Sequence, residues 1–384
     1  MKKSKGNVTI IVIIAIIVIL ILAIVGLFVY QHMIATKDTG SNTQMPTRTN
    51  EQLNVDTENN QTNSENTQEN NTLIDKTFNI IPDGGGDTGE VEPMELSSTK
   101  YYYNQLDSNA KIIYDKLKKE KNSFKTGNHV FDFGTEFNTL LHTDNGKETL
   151  KKAFSAAIDA FVYDDCELFY VDPSKLSLVS ETRSLGGIDT YYISIGAGSN
   201  PNYLRSSFQT KESIEEAQKY LDGIVNQIVE QTKQDTDLSK AKKVHDWLIG
   251  VVNYGELNTK NHGNIYGTIH DKTATCEGYA RSFKYIMEKV GVPTILVTGT
   301  AKNSEGKTEA HAWNYIQIDQ AWFAIDLTWD DPVIIGEGTV SEEQKYKYFL
   351  KGADEFFADH TESKTFSENG TDFSFPIISG SSHK

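Results

Sequence analysis

EAHAWNYIQIDQAWFAIDLTWDDP, residues 309–332, reads as a β-hairpin. HAWNYIQI and AWFAIDLTW alternate apolar and polar positions as half-buried strands do. Asp319 and Gln320 between them supply a two-residue loop, the length that closes a tight antiparallel turn. Such a loop sets the register: facing positions sum to 639, which puts His311 opposite Thr328 and Asp326 opposite Trp313. His311 and Asp326 then leave the same face as diagonal neighbours, at a separation their side chains can close. Asn314 points the other way. A slip of one residue would send His311 and Asp326 to opposite faces, so the pairing stands or falls with this register. An antiparallel sheet among amphipathic helices makes the fold class α+β.

Upstream, TATCEGYARSF at residues 273–283 holds Cys276, one of two cysteines in 384 residues. A helix is expected over Cys276–Val290, with threonines suited to capping its start and Gly291 and Pro293 closing its end. Cys276, Ala280, Phe283, Met287 and Val290 recur on one stripe, which is where a plain core cysteine would also lie. Position in the first turn favours chemistry instead. The positive end of the helix dipole favours a thiolate, and unpaired N–H groups there suit a developing oxyanion. A nucleophile needs an oriented base, and His311 beside Asp326 is the candidate pair. His245 falls in an amphipathic helix, and His262 and His270 in turn-like sequence; none is expected to have a comparable partner.

CEGYA with Cys276, HAWNYI with His311 and AIDLTWDDP with Asp326, in that order, resemble the transglutaminase-like superfamily over Leu238–Pro332. KVHDWLIGVVNY, IYG, YYYNQLDSNAKIIYDKL and DDCELFYVD are similar to the flanking segments of its bacterial surface members; Cys166 stands where proline is common, which suggests a packed role. The resemblance implies a papain-like core in which a helix bearing the cysteine packs on an antiparallel sheet bearing histidine and aspartate. It also implies a catalytic triad of Cys276, His311 and Asp326 performing acyl transfer on carboxamide or peptide carbonyls. Either an amine or water could resolve the thioester, and the superfamily includes members without activity. No cofactor and no metal are expected. Cys276, His311 and Asp326 are residue types that zinc accepts, but no CxxC or HExxH spacing gathers ligands locally.

Lys2, Lys3 and Lys5 precede an uncharged aliphatic run, Val8–Tyr30, which as a helix would reach ~35 Å, enough to cross a bilayer core. The positive-inside tendency keeps residues 1–7 cytoplasmic and sends the rest outside. Residues 31–95 are rich in Asn, Thr and Glu and read as a disordered tether; PDGGGDTGEVE within it lacks the ligand spacing of a calcium loop. An α+β region is expected over 96–205, with helices at Tyr101–Glu120 and Lys147–Phe161 and strands at Leu168–Val171, Leu176–Ser180 and Tyr191–Ile195. The catalytic domain is expected over 206–384, with its core at 238–332, opening on helices at Lys211–Thr232 and from Ser239.

A net charge of −16 argues against a nucleic-acid partner. Cys166 and Cys276 are the one possible disulfide pair, and nothing in the spacing excludes it. The expected protein is a single-pass, membrane-anchored, extracytoplasmic thiol acyl-transfer enzyme acting on protein or peptide substrates at the cell surface or wall. A non-catalytic binding or scaffold module of the same fold is the competing expectation.

Overall fold

The chain folds because short polar signals start and stop each element while apolar stripes bury it. The computed structural model describes residues 77–80, 100–255, 259–331, 341–363 and 371–384. Among these residues no helix is long and apolar enough to cross a membrane; the expected span Val8–Tyr30 and the PDGGGDTGEVE run lie outside them. Most of the expected 31–95 tether also lies outside. Residues 77–80 are packed on the domain: Phe78 is buried against Trp247 at 6.3 Å between rings, and Asn79 N–H donates to Gln231 Oε1 at 2.8 Å. A single aromatic in a polar stretch is outvoted in a composition average, yet it is enough to anchor the chain.

Helix α1 is Ser108–Lys119, begun by Asp107, whose carboxylate accepts from Ala110 N–H; it buries Ala110, Ile113, Tyr114 and Leu117. The cap shortens the helix expected from Tyr101. Helix α2, Gly146–Asp164, packs against α1. Strands β1 (Phe131–Gly134), β2 (Ser177–Leu185) and β3 (Ile188–Gly196) form an antiparallel sheet in the order β1-β3-β2. Leu168–Val171 is not a strand: Asp165 accepts from Glu167 N–H and starts a 3-10 turn over Cys166–Leu168, leaving only a bridge from Val171 to Leu204. This is the local competition that short acidic side chains offer to extended backbone.

Helices α3 (Lys211–Thr232) and α4 (Asp237–Val251) follow; Thr210 and Ser213 close a reciprocal capping box on α3. A short parallel pair, β4 (Asn253–Tyr254) with β5 (Thr273–Ala274), leads into α5, Cys276–Lys289. The four-stranded antiparallel sheet has the order β8-β7-β6-β9, from β6 (Thr294–Lys302), β7 (Thr308–Ile318), β8 (Ala321–Ile325) and β9 (His360–Glu362). Directly after β8 comes a single turn of helix, α6, Leu327–Asp330.

The hairpin has the expected register, from Asn314 opposite Ile325 to Ile318 opposite Ala321. Asp319 and Gln320 both take positive φ, 50° and 67°, as the tight turn demands. The second strand ends early, however. Asp326 Oδ1 accepts from the N–H groups of Thr328 (2.9 Å) and Trp329 (3.4 Å), turning the chain into α6, so Thr328 never pairs with His311.

Residues of β7 divide between two cores. Ala312, Ile316 and Ile318 join the main core with α5, and Asn314 ties the two elements by donating to Ala280 O at 2.9 Å and Ile295 O at 3.2 Å. Trp313 and Tyr315 face a second cluster with Ile295, Val297, Tyr348 and Phe356. The main core also runs through α1, α2 and α3, so the 96–205 region and the remainder share one interior.

Candidate functional site

Cys276 is the first residue of α5, buried to 1% exposure, and neither it nor Cys166 is in a disulfide. No side chain caps this helix start, although Thr275 stands at the cap position. The Thr275 hydroxyl is turned to His262 instead, with Oγ1 3.2 Å from Nδ1. Cys166 is packed, and burial pushes its thiol up to about 11, so it stays protonated at neutral pH.

His311 projects from β7 with Nε2 2.7 Å from Asp326 Oδ2, in a site where both side chains are essentially fully buried. Diagonal placement on the hairpin brought them together as expected, even though Asp326 sits just past the end of the ladder. The imidazole is raised to about 9: burial opposes its charge, but the Asp326 carboxylate outweighs this by charge and hydrogen bond, and Cys276 adds to it. His311 is therefore a cation at neutral pH. Its Nδ1 is buried and makes no hydrogen bond of regular geometry; Cys276 acts on this ring as its second polar neighbour. Asp326 is held well below the usual carboxylate range. Burial would raise it, but the charge and hydrogen bond of His311, followed by those of His360, prevail.

His360 is the residue that sequence reading passed over. Its Nε2 lies 3.2 Å from the same Asp326 Oδ2, and its Nδ1 lies 2.6 Å from Asp359 Oδ1. The ligand atoms of His311, Asp326 and His360 all fall within 4.8 Å of one another, so among the described residues this set, with His360 in place of Cys276, is the one that could hold a metal ion. His245 corrects a second expectation. It does find carboxylates: Nε2 is 3.2 Å from Asp330 Oδ2 and Nδ1 is 3.0 Å from Asp246 Oδ1. Asp330 is at no spacing that a local rule could find, because it lies 85 positions away on α6, brought in by the fold. The neighbouring Asp246 was the one available cue.

Residues 223–327 match the model of the transglutaminase-like superfamily, and this part of the chain is a transglutaminase-like domain. Members of that superfamily are generally cysteine acyltransferases or peptidases. The kyphoscoliosis peptidase of Homo sapiens is 23% identical over 159 residues, which cover 38% of this chain and 23% of that protein. This chain thus spans under a quarter of that relative. A crystal structure of a TGase aligns at 16% identity over 45% of this chain and 50% of its own, with a TM-score of 0.26. The periplasmic domain of TgpA from Pseudomonas aeruginosa aligns at 16% identity over 40% and 63%, with a TM-score of 0.24. A putative cysteine protease from Cytophaga hutchinsonii aligns at 15% identity over 40% and 64%, also at 0.24.

Proposed function

We propose that this chain is a thiol acyl-transfer enzyme acting on protein or peptide amides through Cys276, His311 and Asp326. The observation that carries the reading is the buried His311–Asp326 contact of 2.7 Å beside a cysteine at a helix start. Cys276 Sγ attacks the carbonyl carbon as a thiolate, and the first-turn N–H groups receive the oxyanion. As the C–N bond breaks, imidazolium His311 gives its proton to the departing nitrogen, leaving a thioester. An amine or water then attacks the thioester and loses a proton to His311; the C–S bond breaks and the thiolate returns. Asp326 keeps the ring oriented and stabilises its charged form.

The test is release of ammonia or of a peptide amine by the full-length chain. Turnover should disappear in Cys276→Ala. Turnover that persists there would refute the assignment.

One observation favours the second reading, a binding module without turnover: Cys276, His311 and Asp326 are each 2% exposed or less. Iodoacetamide separates the two, since an active thiol is alkylated in the folded protein, whereas a core thiol reacts only on unfolding.

The proposed setting is extracytoplasmic, with Val8–Tyr30 as the anchor. External protease on wall-stripped cells should release the domain by cutting within residues 31–95 but outside the packed 77–80 segment. Protection of the whole stretch would place the domain inside the cell.

A further inference from the structure

Strand β2 is an edge strand: among the described residues the sheet runs β1-β3-β2, and every residue from Val179 to Leu185 is exposed. Its hairpin with β3 turns on Gly186 and Gly187, both at positive φ (62° and 81°), which makes Leu185 and Ile188 the hydrogen-bonded closing pair. Hydrogen-bonded and non-hydrogen-bonded pairs alternate from there, so Leu185, Arg183, Glu181 and Val179 bond inward to β3. Ser184, Thr182, Ser180 and Leu178 turn their N–H and C=O groups to the open edge. The far side of the hairpin has the same phase: Tyr191, opposite Thr182, sends its N–H away from β2 to Asn138 Oδ1 at 2.9 Å.

An open edge of nine residues is a template for another strand, and proteins ordinarily blunt one with lysine, proline or a bulge. β2 contains neither residue, and its nine pairs with β3 run in continuous register. One face carries Val179, Glu181, Arg183 and Leu185, with Ile188 across from Leu185. Leu185 and Ile188 are 86% and 70% exposed, and Val179 is 43% exposed.

We propose that β2 is the edge through which two copies of this chain associate: the strands pair antiparallel about Thr182, and two three-stranded sheets become one of six strands. The strand is complementary to itself in that register. Thr182 faces the partner's Thr182 and Ser180 faces the partner's Ser184, and these are residues whose backbone groups point outward. In the closer, non-hydrogen-bonded positions between them, Glu181 faces the partner's Arg183 and Val179 faces the partner's Leu185. The twofold axis makes each of these unlike pairs occur twice. Neighbouring registers that keep the backbone phase lose the match. Sliding by two residues one way sets Glu181 against Glu181, and the other way Arg183 against Arg183, with like charges directly opposed. In the single chain Arg183 Nε donates to Glu181 Oε1 at 2.7 Å and its guanidinium lies over the Tyr192 ring at 4.2 Å, so both charges already stand on the pairing face. They guard the edge against other strands and admit a second β2. The pairing does not depend on the chemistry proposed for Cys276.

Exposed ion pairs contribute little each, so the contact is weak and is best read by cross-linking, which accumulates it. Single cysteines are placed on β2 of the full-length chain in a Cys276→Ala background, which leaves only the buried Cys166 beside them. Under mild oxidation Thr182→Cys should cross-link to itself, because facing Cα atoms lie about 5.5 Å apart, within disulfide reach. Ser180→Cys and Ser184→Cys should each stay monomeric alone and cross-link when mixed. Failure of Thr182→Cys to dimerise, or self-linking of Ser180→Cys to the same yield, overturns the pairing. Charge exchange checks the register: added to Thr182→Cys, Glu181→Arg and Arg183→Glu should each cut the yield several-fold, and mixing the two variants should restore it. A yield that neither change moves rejects the register. Cross-linking of Thr182→Cys to an added cysteine-bearing extended peptide in place of itself would assign the edge to a peptide ligand and reject the dimer.

Discussion

The single turn of α6 separates two buried histidine–carboxylate clusters that look alike and behave differently. At its start, Asp326 meets His311 and His360 and takes two backbone N–H groups. At its end, Asp330 meets His245 and one backbone N–H, that of Tyr348 at 2.7 Å. Both carboxylates are fully buried. Yet Asp326 is held below its ordinary range, whereas burial pushes Asp330 up to about 7 against weaker opposition from His245 and Tyr348. Desolvation is common to both, so the number of donors decides which one stays ionised. Only the Asp326 end has a thiol acting on its histidine. A buried His–Asp pair is thus a structural tie or a candidate site according to what stands on the far side of the ring.

The largest expected effect would break the comparison outright. Cys276→Ala and His311→Ala should each reduce turnover by roughly 10⁴-fold or more, since members of a triad act as a unit. His245→Gln should leave turnover per folded molecule within a few-fold while lowering the melting temperature. Loss of turnover in a folded His245→Gln protein, measured by amine or ammonia release, would make the two ends of α6 equivalent.

Asp326→Asn comes next. It should retain more activity than either of those variants, because an orienting group is removed and not a reacting one. It should also unfold more readily, by about 3–5 kcal/mol, because the buried His311 imidazolium loses its anion. A melt equal to the wild type would show that His311 does not carry a buried charge that depends on Asp326.

Stability against pH sharpens the contrast further. His311, raised from 6.5 to about 9, adds stability that is complete below its unfolded value and is lost as pH climbs through about 9. Asp330, raised from 3.8 to about 7, adds stability that is complete below 3.8 and declines as pH rises through about 7. Asp326 has the opposite sign: its contribution is present above 3.8 and lost as the solution is acidified. Melts across pH should therefore show a neutral decline that Asp330→Asn flattens and an alkaline decline that His311→Gln flattens. A single decline unaffected by Asp330→Asn would contradict this division.

The smallest effect concerns the helix between the two carboxylates. Thr328 is buried and its hydroxyl has no hydrogen-bond partner. Thr328→Val should be neutral or stabilising by up to about 1 kcal/mol, with turnover unchanged. A clear loss in chemical denaturation would mean that the hydroxyl bridges the two clusters.

How much of this could be read from the chain depends on the range over which each rule acts. Loop length and alternation placed Asp319 and Gln320 in the turn and set the register from Asn314 to Ile318, because turn and pleat geometry operate over a few residues. Capping and periodicity likewise bounded α3 at Lys211–Thr232, and α5 starts at Cys276 as expected although the expected threonine cap is not made. Those local rules also brought His311 and Asp326 within reach. They did not foresee that Asp326 would leave the ladder to cap α6, because the same side chain fits either role and the surrounding packing selects one. Nor could they supply His360, 34 positions beyond Asp326, or join His245 to Asp330 across 85. Those pairings exist because a charge taken out of water must find an opposite charge wherever the fold delivers one, and spacing along the chain carries no record of that search.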